Sequence, residues 1–352
     1  MNSSKLNKED RFARIAAIDI GTVTTRLLVV DVFVRGSTKI SCKEIYRDMR
    51  ITQLGQGTGV CGKLSDKGIR SVLEALDEYV QMLQHFQVDD VLCVATSAVR
   101  DASNAEQLIA AAKKKDIDIE VVPGEVEAKL SFMGATYNED DNEGDNEDDV
   151  EGDHSKRDFA AATKPTLVVD LGGGSTELVL GRLDVAGNAE ILRLDSLQVG
   201  ARRMTDMFID SDPPRNLEVK MFRSYLKKFC SFDLEKYVGE FDRLVAVAGT
   251  ATTLAAVAGK IDPYNPSEIQ GFKIKRTDLD LLLRLFLSKN LEQRQKICGL
   301  EPKRAGVIIA GTLIMEAIMD ALDCEEFFTS DRDLLYGIIL SATKSVLAKR
   351  QL

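Results

Sequence analysis

Residues 15–32 read IAAIDIGTVTTRLLVVDV, and residues 167–183 read LVVDLGGGSTELVLGRL. Each is an apolar strand ending near an aspartate, then a turn rich in glycine and hydroxyl groups, then a second apolar strand. Asp19 superposes on Asp170 at an offset of 151. A second pair, VLCVATSAVRDA at 91–102 and LVAVAGTATTLAAV at 244–257, brings Ala95 onto Ala248 at an offset of 153. Apolar segments often match by chance, so either pair alone says little. Two different loops repeated at nearly one offset indicate a duplicated domain.

Each half reads as strands first and helices after, which predicts an α/β fold. Strands are expected over roughly 14–50 and at Val91 to Ala95, and the second half restarts near Pro165. Ser65 is expected to cap a helix whose apolar positions, Ile69, Val72, Leu73, Leu76, Val80 and Leu83, fall at helical spacing. Asn104 with Gln107, and Thr277 with Asp280, have the spacing of capping boxes. A helix is expected from Met221 to Tyr237, a strand from Leu244 to Ala248, and mainly helices from Thr277 onward. The stretches DPPR and DPYNP read as surface turns.

The chain of 352 residues is 44% hydrophobic and 29% charged, enough for two domains with substantial cores. No apolar run approaches the roughly 20 residues of a membrane span. The polar start MNSSKLNKED lacks a secretory signal, so a cytoplasmic protein with no membrane partner is expected. Cys42, Cys61, Cys93, Cys230, Cys298 and Cys324 are scattered, so neither a zinc cage nor a disulfide scaffold is indicated. Of the net charge of −10, the segment 138–158 carries −9, with 11 acidic residues against one Lys and one Arg. Such a stretch has little to bury and is expected to be a disordered acidic insertion, without the ligand spacing of a calcium loop. The remainder is close to neutral and can host a basic cleft. No basic stretch interleaved with aromatics appears, which disfavours nucleic acid as a partner.

Turns between strands that are rich in Gly, Ser and Thr let backbone N–H groups converge on an anion. Gly21 to Thr25 and Gly172 to Thr176 both qualify, although tight hairpins share the composition. Three glycines flanked by Asp170 and Glu177 put donors beside carboxylates, a grouping that suits phosphate with a divalent cation. Phosphate cleavage also needs a group that orients or deprotonates the nucleophile. The two histidines, His85 at a helix end and His154 in the acidic segment, are poorly placed for it. The base is therefore expected among the carboxylates Asp19, Glu125, Glu127, Asp170 and Glu177.

The chain resembles the exopolyphosphatase and guanosine pentaphosphate phosphohydrolase (Ppx/GppA) family, of the short two-domain type. The resemblance is carried in order by AAIDIGTVTTRLLV, LGQGTGVCGKLSDKGI, VATSAVRDASN, VVPGEVEAKLSFMGA, LVVDLGGGSTELVLG, SLQVGARRM, VAVAGTATTLAA and RAGVIIAG. It implies a duplicated actin-like (RNase H-like) ATPase fold, with two lobes and an active-site cleft between them. Residues 12–123 plus 328–352 would form the first lobe and 124–327 the second. It implies Mg2+, or another hard divalent cation, assisting removal of a terminal phosphoryl group. Within the G-x-E-E-A pattern, Glu127 matches the general base. Asp170 and Glu177 match acidic positions linked to cation and water handling. Gly21, Thr22 and Thr24, with Gly172, Gly173, Gly174, Ser175 and Thr176, match phosphate loops. Arg100 and Arg203 match basic positions that reach toward substrate. The chain departs from the family pattern at Val23, Gln53, Val126 and Gly306. Inorganic polyphosphate is the first substrate implied and pppGpp the second. A phosphotransferase and a catalytically silent sensor stay open, as does a homodimer.

Overall fold

The computed structural model describes residues 11–35, 39–58, 62–137, 165–183 and 189–350. The acidic segment 138–158 lies outside them. The first sheet contains β1 (Arg11–Ile20), β2 (Thr24–Arg35), β3 (Lys39–Ile51), β4 (Asp90–Ala95) and β5 (Ile119–Val121), in the order β3-β2-β1-β4-β5. The first three strands form an antiparallel meander, and β4 and β5 add in parallel. The second sheet contains β6 (Thr166–Leu171), β7 (Thr176–Leu183), β8 (Ala189–Leu197), β9 (Arg243–Val247), β10 (Lys273–Lys275) and β11 (Glu326–Thr329). Its order, β10-β11-β9-β6-β7-β8, repeats the first from β8 through β11, with β10 added at the edge. The register repeats as well: Asp19 lies opposite Val94 across β1 and β4, and Asp170 opposite Val247 across β6 and β9. The duplication legible in the sequence is thus a duplication of topology, the actin-like arrangement of two related lobes.

Helix α1 (Asp66–His85) starts where expected, with the Ser65 hydroxyl accepting from the Gly68 amide. Its apolar stripe buries Ile69, Val72, Leu76 and Leu83 against the first sheet. After the short α2 (Ser97–Arg100) comes α3 (Ala105–Lys113). Its flanking Asn104 makes no cap bond. The Asn104 amide group instead brackets Leu64, accepting from its N–H at 2.8 Å and donating to its carbonyl at 3.0 Å. The expected capping box there gives way to a tie between loops.

Helix α4 (Gly124–Ala135) leads into the second lobe, whose longer helices are α5 (Ala201–Phe208), α6 (Asn216–Asp233), α7 (Ala248–Gly259), α8 (Arg276–Leu287) and α9 (Ile308–Leu322). Helix α6 starts earlier than expected, and Glu235–Tyr237 forms a separate 3-10 turn. Ala248 leaves the strand at φ 67° and opens α7. Helix α8 begins one residue before Thr277, and the Asp278 carboxylate caps it by accepting from the Lys275 amide at 3.1 Å. The final helix, α10 (Leu334–Arg350), returns to pack with β1 and β2.

Helices α4 and α10 cross between the lobes. From α4, Ala128, Phe132 and Ala135 pack on Val168, Val179 and Val245 of the second sheet, while Leu130 joins Ile15, Leu28 and Leu334 of the first core. The crossing brings backbone against backbone at Gly134 and Gly337. A β-carbon on Gly337 would stand 1.8 Å from the Leu130 carbonyl oxygen, and one on Gly134 1.9 Å from that of Asp333. No helix among the described residues is long and apolar enough to cross a membrane.

Candidate active site

The ends of β1, β4, β6 and β9 point their loops into one cleft, which encloses a cavity of about 90 Å3. Asp19, Gly21, Thr22, Thr24, Glu127, Asp170, Gly172, Gly173 and Ser175 line it. Gly174, Thr176, Glu177, Arg100 and Arg203 do not line it, so the sequence-predicted residues divide into a lining set and a set that contacts it from outside.

Both glycine-rich turns have their carbonyls tied back. In the first, the Thr22 oxygen accepts from the Gly55 amide at 2.8 Å, and the Val23 oxygen accepts from the Thr52 and Gln53 amides at 3.0 Å each. In the second, the start of α5 performs this service. The Gly172 oxygen accepts from the Ala201 amide at 2.9 Å, and the Gly173 oxygen from the Arg202 and Arg203 amides at 2.8 and 3.0 Å. The Gly174 oxygen accepts from Arg203 Nε at 2.7 Å. Among the described residues, no acceptor is matched to the amides of Thr22, Val23, Gly173, Gly174 or Ser175. A turn whose carbonyls are engaged on one side presents N–H groups on the other, the arrangement that receives an anion. Glycine is required by crowding where α5 meets this turn: a β-carbon on Gly200 would lie 2.4 Å from the Gly174 carbonyl carbon, which is backbone.

Four carboxylates converge behind these amides. Asp170 and Glu177 are direct cross-strand partners. Asp170 accepts from the Ser131 hydroxyl of α4, Glu177 accepts from Ser196 at 2.9 Å, and Glu127 accepts from Arg100 Nη1 at 2.9 Å. Asp19 accepts from Arg26 at 2.9 and 2.7 Å. Burial pushes Glu127 up to about 8, with Asp170 opposing ionisation and Arg100 favouring it. Burial likewise raises Asp170, and it raises Glu177 well above the ordinary carboxylate range with repulsion from Glu127 and Asp170 adding to it. One oxygen each of Asp19 and Glu177 is buried with no hydrogen-bond partner among the described residues. Uncompensated buried carboxylate oxygens beside an anion site suit a hard cation. No three side chains among the described residues form a ready ligand cluster. The fit is therefore that of a hard cation completing its shell with phosphate oxygens and water.

Arg100 spends its Nη1 on Glu127 and the Val122 carbonyl, at 2.9 and 2.8 Å, so the structure places it on the proposed base. Glu125 and Val126 are exposed on the first turn of α4, whereas Glu127 is buried. The departure at Val126 therefore faces away from the cavity. Gln53, at φ 53°, reaches the second lobe through a hydrogen bond from Arg202.

Sequence reading missed Arg26, Ser97, Ser131 and Arg304. Arg26 had a signal, since it occupies in the first repeat the place of Glu177 in the second. Arg304 lies against the Gly249 backbone and is paired with no carboxylate among the described residues. Burial and the neighbouring Arg26 charge both lower its pKa. It stands on the wall between the cleft and an adjoining cavity of about 700 Å3, lined in part by Ile261, Tyr264, Ile297 and Leu300.

Known proteins with these features belong together. The model of the Ppx/GppA phosphatase family matches residues 32–145 and 157–346. Exopolyphosphatase 2 of Mycobacterium tuberculosis is 32% identical over 339 residues, spanning 93% of this chain and 98% of that protein. The crystal structure of the Aquifex aeolicus Ppx/GppA family member superposes with a TM-score of 0.71 at 29% identity, covering 95% of this chain and 98% of that one. An exopolyphosphatase from Cytophaga hutchinsonii superposes with a TM-score of 0.78 at 25% identity, covering 95% and 98%. The duplicated sheet order, the amide-lined turns and these likenesses agree: the chain belongs to the Ppx/GppA phosphatase family, whose members are phosphoanhydride hydrolases.

Proposed function

We propose that this phosphohydrolase releases orthophosphate from the end of inorganic polyphosphate, with Glu127 as general base. The observation that carries the reading is that Glu127 lines one cavity with Thr22, Val23, Gly173 and Ser175, whose amides have no acceptor among the described residues. The terminal phosphate sits among those amides. Glu127 takes a proton from water as the water oxygen forms its bond to phosphorus, the P–O anhydride bond breaks, and the shortened chain leaves as an anion. Burial raises Glu127 to about 8, so the unliganded group holds its proton at neutral pH; a divalent cation bound beside it would favour the ionised form that accepts a proton from water. A hard divalent cation, Mg2+ in our reading, supplies charge neutralisation when bound, and Asp170 and Glu177 would hold it with Asp19 nearby. Arg100 orients Glu127, Gly172, Gly173 and Ser175 with Gly21, Thr22 and Thr24 grip phosphate oxygens, and Gly174 and Thr176 hold the second turn in shape. We keep residues 12–123 with 328–352 as one lobe and 124–327 as the other.

A second substrate, pppGpp, is favoured by one observation. The adjoining cavity of about 700 Å3 opens past Arg304 and offers apolar and aromatic walls to a nucleoside. Phosphate release from polyphosphates of graded length and from pppGpp, with and without Mg2+, by wild type and Glu127→Gln, tests both. Release from neither substrate at any Mg2+ concentration would leave the silent sensor standing.

A further inference from the structure

Asp101, after α2, and Arg203, on α5, belong to different lobes and meet in an ion pair. Arg203 Nη2 lies 2.5 Å from Asp101 Oδ2, while Arg203 Nε donates to the Gly174 carbonyl at 2.7 Å. One planar guanidinium thus joins a carboxylate of the first lobe to the phosphate turn of the second. The Gly174 carbonyl and the Ser175 amide are two ends of one rigid peptide unit. Pinning the carbonyl outward fixes the Ser175 N–H on the opposite side, and Ser175 lines the cavity. The residue before Asp101 is Arg100, which holds Glu127 at 2.9 Å. Two consecutive residues at the end of α2 therefore grip the proposed base on one side and the phosphate turn on the other.

We propose that Asp101 and Arg203 form a closure clasp, in which Arg203 is a positioning residue: shutting the lobes brings Asp101 onto Arg203 and thereby fixes the Gly174–Ser175 peptide for phosphate. Arg203 is partly buried and Asp101 is exposed, with side-chain exposures of 22% and 30%, so the link is open to screening by salt. Further links on the same rim close with it, from the Gly57 amide to Asp206 at 3.1 Å and from Arg202 to Gln53. The proposal rests on the reading that Gly172 to Ser175 receives the substrate phosphate.

The test is a double-mutant cycle with Asp101→Ala, Arg203→Ala and the pair, read by steady-state kinetics on tripolyphosphate and by X-ray scattering with and without tripolyphosphate and Mg2+. Asp101→Ala is expected to raise KM about 10-fold with a smaller fall in kcat, because closure is paid out of binding. It should cost nothing further once Arg203 is alanine. Asp101→Glu should recover part of the loss, and Arg203→Lys, which keeps the charge but not the fork, should not. Scattering of the wild type should contract on adding tripolyphosphate, and that of Asp101→Ala should contract less. Independent, multiplicative losses from the two alanines would overturn the clasp, as would equal contraction of Asp101→Ala and wild type. If tripolyphosphate is bound but not cleaved, the scattering arm still decides on the clasp, while the hydrolytic reading alone falls. Asp101→Asn, isosteric with the native side chain, guards against loss of fold and should reproduce most of the KM effect.

Discussion

Glu177 stands opposite Asp170 in the β6–β7 ladder, the place that Arg26 holds opposite Asp19 in the β1–β2 ladder. The duplicated scaffold thus carries a neutralised pair in one lobe and a like-charged pair in the other. Directly opposed like charges destabilise a sheet, and burial removes the water that would screen them. Such a pair is tolerable where a positive ligand completes it. Glu177→Gln is expected to weaken Mg2+ binding about 10-fold or more, since a hard cation responds to ligand charge. Calorimetric titration of Mg2+ in the absence of substrate reads this directly; an unchanged affinity would remove Glu177 from the cation's surroundings.

Glu127→Gln keeps the shape of the side chain and its acceptor for Arg100 but cannot take a proton. We expect kcat to fall by ~100- to 10,000-fold with tripolyphosphate binding nearly unchanged. Parallel turnover and binding measurements check it. Loss of binding in step with turnover would mean that Glu127 grips substrate instead of activating water.

The fold was legible because topology rests on pattern. Asp19 and Asp170 end matching strands, and the turns after them have matching chemistry, so the repeat announced both sheets and the cleft between them. Local stops were less legible. Asn104 has the composition of a cap, yet its amide is drawn to Leu64, a contact across 40 residues that no local rule contains. The site divided in the same way. Glu127 and the glycine turns were visible as motifs, whereas Ser131 reaches Asp170, and Arg304 the cleft, only through the folding of α4 and of the segment before α9. Arg100 matches a motif position that reaches toward phosphate, and the packed structure adds what no motif contains: its Nη1 lies on Glu127, while its Nη2 is buried with no hydrogen-bond partner among the described residues.

The Gly134–Gly337 crossing ties the helix bearing Glu127 to the last helix. Adding a β-carbon at Gly337 drives it into the Leu130 carbonyl, backbone that cannot swing aside as a side chain would. Gly337→Ala is expected to destabilise the protein by about 1 to 3 kcal/mol. Because α4 must shift to relieve the contact, kcat should fall in the folded variant as well. Urea unfolding and turnover below the transition check the two halves, and full stability would show that the helices are not so closely apposed in solution.

The buried carboxylates also set a pH dependence of stability whose sign can be worked out. Burial raises Glu127 from 4.5 to about 8 in the folded chain, so the folded state holds a proton that the unfolded state has released. Stability from this group is complete below about pH 4.5 and is lost as pH rises through about 8. Asp170 and Glu177 are shifted in the same direction and share the titration, so the window belongs to the group of carboxylates and not to one of them. A neutral isostere escapes the penalty. Glu127→Gln should therefore be more stable than wild type at pH 8, by on the order of 1 to 3 kcal/mol, and nearly equal to it at pH 5. Denaturant unfolding at the two pH values, with chelator present, measures the difference. A Gln variant that is equally or less stable at pH 8 would show that Arg100 already compensates the Glu127 charge in full, and would place its ionisation in the ordinary carboxylate range.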